Sequence, residues 1–258
     1  MKMPQNDTPL MQVTDIPIAL GILSRFPVEV SQEAAQKRAA SAAWAYPIAG
    51  AAIGFAAVLA GWAAMAFGLP NVAVAGVVLA TLIMVTGAMH EDGLADTFDG
   101  LWGGHTRERR LEIMKDSHVG AYGVLALAVS GLVRFGLILS LIASGHLWAI
   151  IATCAVSRAP MALLMAKMEP ARSMGLSHSV GRPRLETALL AVLIALLIGF
   201  LFLGGTILHG VLLAAIAVGA LAWIAEKKIG GQTGDILGTS QQLTEIAFLA
   251  AVVSALPA

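Results

Sequence analysis

The chain is a succession of long apolar runs separated by a few polar islands, and that alternation predicts its architecture. Stretches at roughly 41–67, 71–89, 121–143, 147–166, 186–203 and 206–225 are each long enough to cross a bilayer as a helix, which needs about 20 residues for about 30 Å of hydrocarbon. A last run, 246–257, is short for a span unless Leu243 and Thr244 belong to it. Three connections are tight and uncharged, around 68–71, 144–146 and 204–205, as expected of helical hairpins. Within the first span, Gly50 and Gly54 form a small-xxx-small pattern suited to close helix contact. Upstream, residues 16–28 are apolar but interrupted by Pro17, Arg25 and Pro27, which predicts an interfacial or re-entrant piece. A helix-like polar segment, 31–40, follows it.

Charge tests this map independently. Fourteen of the sixteen Lys and Arg fall in residues 1–40, 90–120, 167–187 and 226–245, and the short connections carry none. The positive-inside rule puts every charged segment on the cytoplasmic side. Only 12% of the residues are charged, about half the share of a soluble domain, so a soluble fold would expose large apolar patches. The net charge of zero offers no basic excess for nucleic acid. Cys154, the single cysteine, excludes a disulfide framework. The N-terminal residues combine one lysine, acids and prolines before any apolar run, unlike a cleavable signal peptide, so the segment is expected to be retained. The expectation is one all-α domain over residues 1–258: a multi-pass membrane bundle of six to seven transmembrane helices. Its site would face the cytoplasm.

The chemistry concentrates in one island, His90–Gly123, which holds seven of the sixteen acids and three of the six histidines. Asp92, Asp96 and Asp99 stand at i, i+4 and i+7, one face of a helix. A stripe of carboxylates repels itself unless a cation sits against it, and a divalent ion with oxygen ligands is the natural candidate. Glu91 and Asp116 can add oxygens. Mg²⁺ favours a few carboxylates plus substrate phosphates over a closed cage, which points to a phosphorylated substrate. The basic residues available to phosphate include Arg107, Arg109, Arg110, Lys115, Arg172, Arg182 and Arg184. The three arginines of the 107–110 segment cannot all face one way, so some belong to solvent or the membrane surface.

Arg134 and Arg158 lie inside predicted spans, where a charge is costly unless paired or set in a wet cavity. They are expected either to pair with Asp235, Glu245 or an acid of the 90–120 stretch, or to reach an anionic substrate. The glycine-rich segment Gly230–Gly238, with Gly231, Thr233, Gly234 and Asp235, resembles an anion-binding helix start; beside Glu245 it reads as a second wall of the site. His90, next to the acids, is a candidate proton acceptor.

These motifs also resemble, over nearly the whole chain, the cobalamin synthase (adenosylcobinamide-GDP ribazoletransferase) family. The resemblance rests on Ser24–Pro27, Tyr46–Gly50, His90–Gly100, Lys115–Gly123, Ala171–Arg172 with Gly175–Leu176, and Gly230–Gly238. It implies transfer of the adenosylcobinamide phosphate moiety from adenosylcobinamide-GDP to α-ribazole or its 5′-phosphate, with GMP leaving and Mg²⁺ required. Carried onto this chain, it assigns catalysis to His90, Glu91, Asp92, Asp96 and Asp99, and metal binding to Asp92, Asp96, Asp99 and Asp116. Arg25, Lys115, Arg158, Arg172, Gly231, Thr233, Gly234, Asp235 and Glu245 would bind substrate. The expected partners are the two substrates and the lipid bilayer, with a homo-oligomer left open. The stripe is also similar to the motif of CDP-alcohol phosphotransferases, but Asp96 stands where that motif has Arg and the later spacing does not fit. A lipid headgroup transferase and a multi-pass transporter are the alternatives.

Overall fold

A computed structural model describes residues 9–256. Residues 1–8, which open the expected N-terminal segment, and residues 257–258, which close the last apolar run, lie outside the described residues. In chain order the helices are α1 (Asp15–Leu23), α2 (Gln32–Arg38), α3 (Tyr46–Ala66), α4 (Asn71–Thr86), α5 (Met89–Gly103), α6 (Arg107–Ile113), α7 (Ala121–Ala143), α8 (Ala149–Lys167), α9 (Leu176–Val180), α10 (Leu185–Leu203), α11 (Ile207–Ile229) and α12 (Gly234–Ser254). A 3-10 turn, Ser41–Ala45, runs directly into α3.

Five stretches are long and apolar enough to cross a membrane, and the bent pair α4–α5 makes a sixth. One of the five, Leu185–Ile229, has 45 residues, about twice what a bilayer needs. It turns back at Gly204, whose φ of 55° suits a residue without a Cβ, so α10 and α11 cross separately. Both outer ends of this hairpin return to the same side. Arg182, before α10, donates to the Ala166 carbonyl, and Gln232, after α11, pairs with residues 169 and 171.

The packing order follows side-chain size. Helix α8 is the buried hub, walled by α3, α10 and α12. It meets α3 backbone to backbone: a Cβ at Gly54 would lie 2.8 Å from the Ile151 Cα, and one at Gly50 would strike the Cys154 carbonyl. The Gly50–Gly54 pattern therefore finds its partner in α8. The elbow between α4 and α5 turns 84°. It is built from two successive left-handed residues, Gly87 (φ 64°) and Ala88 (φ 58°). Alanine rarely adopts that conformation, so the elbow holds local strain. The bend turns α5 away from the axis of α4 and across the end of the bundle.

The last run is a span, and it takes in Leu243 and Thr244 and begins earlier still. The charged segment 226–245 followed by a short run 246–257 is in fact the end of α11, a short loop, and one 21-residue helix, α12. Its first half carries Thr239, Ser240, Gln241, Gln242, Thr244 and Glu245, all buried. Gln241, Gln242 and Glu245 face α5, α7 and α8 rather than lipid, so the first half of the span can be polar.

The N-terminal segment is fastened by a buried ion pair. Asp15 accepts from Arg38 Nε at 2.6 Å and Nη2 at 2.8 Å, and from Trp44 Nε1 at 2.7 Å. Burial pushes the Asp15 carboxyl up, but the hydrogen bonds from Arg38 and Trp44 outweigh it and hold the group below the usual carboxylate range.

Candidate active site

The polar connections gather at one end of the bundle, and a single helix crossing organises them. There α5 lies on the start of α12, with glycine on both sides of the contact. A Cβ on Gly93 would sit 3.0 Å from the Asp235 carbonyl oxygen, and one on Gly238 would sit 3.3 Å from the His90 Cα. Thr239 Oγ1 lies 2.8 Å from Thr97 Oγ1 and 3.1 Å from the Gly93 carbonyl oxygen, which fixes the register. The crossing brings Asp92 and Asp96 to face Asp235. Asp96 is half-buried there, with the like charges of Asp235 and Asp92 as neighbours. Arg172 supplies the opposite charge by pairing with Asp235. Thr233 Oγ1 also donates to Asp235 at 3.1 Å, and it caps α12 by accepting from the Ile236 amide at 3.3 Å.

The glycine-rich loop is shaped by its neighbours. Gly230 (φ 73°) and Gly231 (φ 151°) turn the chain so that the Gln232 amide donates to the Glu169 carbonyl at 2.8 Å. The Ala171 amide returns the contact to Gln232 at 2.8 Å. Two of the three α6 arginines hold this arrangement through backbone carbonyls. Arg107 donates to Ile229 (2.8 Å) and Ala171 (2.9 Å); Arg110 donates to Gly104 (3.0 Å) and Lys228 (3.1 Å). Arg109 points outward and pairs with Glu112.

A cavity of about 250 Å³ opens beside the cluster. His90, Asp92, Arg172, Thr233, Gly234 and Asp235 all line it, together with an apolar wall that includes Tyr46, Met89, Met161 and Met165. Asp96 stands one helical turn beyond Asp92.

Other expected site residues stand elsewhere. The Asp99 carboxylate accepts from the amides of Gly120 (2.7 Å) and Gly123 (2.9 Å), so it caps the start of α7 instead of completing the stripe. Glu91, Arg158 and Glu245 belong to a buried network away from the cavity lining. In it Arg134 donates to Glu245 (2.8 Å) and Glu91 (2.7 Å), and Arg158 lies 3.8 Å from Glu245. Gln241 donates to Glu245 at 2.6 Å, and Gln242 to Glu91 at 3.1 Å. Of the two expectations for the mid-span arginines, pairing with Glu245 and an acid of the 90–120 stretch is the one the structure takes. Asp116 is hydrogen-bonded to His118 on an exposed turn, 2.6 Å apart; that bond holds Asp116 below its usual range and raises the His118 pKa. Lys115 is exposed on the same turn, and Arg25 packs over Gly87 at the elbow. Gly231 shapes the loop from beneath: a Cβ there would strike the Glu169 carbonyl. Gln232 and the methionine wall were not singled out from the sequence. Gln232 lies inside the glycine-rich motif, whereas the methionines looked like ordinary span residues.

Among the described residues, no group of three or more His, Cys, Asp or Glu forms a ready-made metal cage. Mg²⁺ does not require one, since it keeps waters and takes one or two carboxylates plus substrate phosphates. The mutual repulsion of Asp92, Asp96 and Asp235 suits such a cation.

Comparison with known proteins identifies the family. The family model described as cobalamin-5-phosphate synthase matches residues 15–253. The chain belongs to that family. A relative from Bradyrhizobium diazoefficiens, named adenosylcobinamide-GDP ribazoletransferase, is 44% identical over 253 residues, 95% of each chain. One of the same name from Azorhizobium caulinodans is 42% identical, covering 93% of this chain and 96% of its own. Another from Brucella ovis is 39% identical, covering 92% and 95%. No solved structure matches the chain. Membership of the cobalamin-5-phosphate synthase family leaves the headgroup-transferase and transporter alternatives without support.

Proposed function

We propose that this protein is an adenosylcobinamide-GDP ribazoletransferase acting at the cytoplasmic face of the bacterial inner membrane. The observation that carries the reading is the α5–α12 crossing, where three carboxylates and Arg172 meet beside a cavity at the polar end of a membrane bundle. A hydroxyl of α-ribazole, or of its 5′-phosphate, attacks the phosphorus on the cobinamide side of the donor's pyrophosphate. The new P–O bond forms as the bond to GMP breaks, and GMP leaves with the electron pair. A carboxylate of the cluster takes the hydroxyl proton. Arg172, a planar guanidinium already half-engaged by Asp235, offers its free edge to the pyrophosphate. Asp92, Asp96 and Asp235 are the residues that would hold Mg²⁺. Bound there, the ion would neutralise the pyrophosphate and the charge developing on GMP.

The concentration of Lys and Arg in the segments that meet at this end favours its cytoplasmic orientation. The test is direct: purified protein in detergent or liposomes is given adenosylcobinamide-GDP, α-ribazole and Mg²⁺, and GMP release is followed. GMP that appears only with both substrates supports the transfer. No GMP under any condition, with a CDP-alcohol donor turned over instead, would overturn it.

A further inference from the structure

The hairpin of α10 and α11 is splayed. Near its turn it is shut: a Cβ on Gly199 would lie 2.5 Å from the Ile207 Cδ1 and 3.1 Å from the Val156 Cγ2. Further along, α10 packs on α8 and α11 packs on α12, and the two helices of the hairpin barely touch. The gap between them is a groove of about 340 Å³. Its floor is α8 and α12, through Val156, Pro160, Leu164 and Phe248, and its walls are α10 and α11. Lys167 is the one charged residue in the lining. It ends α8 at the polar end of the bundle and is exposed. Among the described residues it enters no ion pair.

We propose that this groove holds one acyl chain of a phospholipid, with the lipid's phosphate against Lys167. The groove lies between membrane spans, so hydrocarbon rather than water is the medium that fills it. Its dimensions decide between a lipid chain and a helix. The lining runs from Val156 to Lys167 on α8 and from Val211 to Ala222 on α11, each about 16 Å long at 1.5 Å per residue. Spread over that length, the volume gives a mean section of about 20 Å². A hydrocarbon chain in single file, its carbons touching neighbours at about 4 Å, needs on the order of 16 Å². A helix about 10 Å across needs roughly 80 Å² and would only ride over the opening. The length matches one leaflet, about half of a hydrocarbon core of about 30 Å. Both α8 and α11 run from a tight hairpin turn toward the polar end of the bundle. The groove is therefore closed near Val156, deep in the membrane, and reaches the headgroup level at Lys167. A lysine there lays its stem along the apolar wall and meets a phosphate with its ammonium.

Gly219 lines the groove, and a Cβ there would meet nothing within 4 Å, so a leucine fills the space without a clash. The experiment is native mass spectrometry of the full chain in detergent, titrated with phosphatidylglycerol and, separately, with diacylglycerol, which has the chains and no phosphate. The wild type is expected to keep one phosphatidylglycerol after looser lipids are stripped. Gly219→Leu is expected to weaken both lipids at least about tenfold, since several chain carbons lose their place. Lys167→Gln is expected to weaken phosphatidylglycerol about fivefold and to leave diacylglycerol unmoved. Unchanged retention in Gly219→Leu would overturn the site. So would a wild-type dimer that Gly219→Leu takes apart, because a second copy would then be the occupant. Equal losses of the two lipids in Lys167→Gln would overturn the placement of the phosphate. Should Gly219→Leu fail to fold, phosphatidylglycerol binding by Lys167→Gln equal to that of the wild type overturns the proposal instead.

Discussion

The buried network around Glu245 allows a quantitative test of what holds the spans together. It contains two arginines and two glutamates: Arg134, Arg158, Glu91 and Glu245. Its charge is balanced, and the side chains of Arg134, Arg158 and Glu245 are 2–3% exposed. Glu245→Gln keeps the shape but leaves an excess positive charge; Arg158→Met leaves an excess negative one. Removing one partner of a buried pair costs about 3–5 kcal/mol, because the other charge stays desolvated. The lower bound alone shifts the folded-to-unfolded ratio on the order of a hundredfold. The double variant is neutral again, since Arg134 still has Glu91 at 2.7 Å, and it is expected to recover most of the loss. Unfolding in mixed micelles, followed by tryptophan fluorescence, gives the four stabilities of the cycle. If the two losses simply add, or if either single variant matches the wild type, charge balance is not what the network provides.

Three further outcomes are expected. Asp92→Asn and Asp96→Asn should each lower GMP release by on the order of a hundredfold or more while leaving membrane insertion intact; activity near wild type in Mg²⁺ would remove that residue from the site. Mg²⁺ should raise the melting temperature, by an amount equivalent to about 2.7 kcal/mol at a hundredfold excess over Kd. The rise should shrink in Asp92→Asn and in Asp96→Asn, and an undiminished rise in both would contradict the shared role of the three carboxylates. Asp15 contributes stability that is complete above the ordinary carboxylate value of 3.8 and fades as pH falls toward its lowered folded value. Asp15→Asn should therefore cost about 3–5 kcal/mol at neutral pH and flatten the stability curve below pH 4; an unchanged acid limb would refute it.

Much of the architecture is legible because a bilayer is a demanding solvent. Lipid-facing helices must be apolar along their length, so α7 and α10 could be bounded from the sequence almost to the residue, and uncharged hairpins must separate them. Helix α5 was readable from its i, i+4, i+7 aspartates, and Gly50 and Gly54 announced a close crossing. Hydropathy reports only what faces lipid, however. Helix α12 turns Gln241, Gln242 and Glu245 toward α7 and α8, and its first half therefore read as a polar segment.

What the residues determined by themselves is the class of protein and the chemical types at its site: a membrane bundle, an acidic stripe and a glycine-rich loop, all set by local composition and spacing. Which carboxylates meet was decided by tertiary structure. Asp99 shares a helix face with Asp92 and Asp96, yet its carboxylate is taken by the unpaired amides at the start of α7. Asp235, more than a hundred residues away, replaces it because Gly93 and Gly238 let two backbones touch. Sequence spacing sets which side chains share a face; only packing decides what stands opposite them.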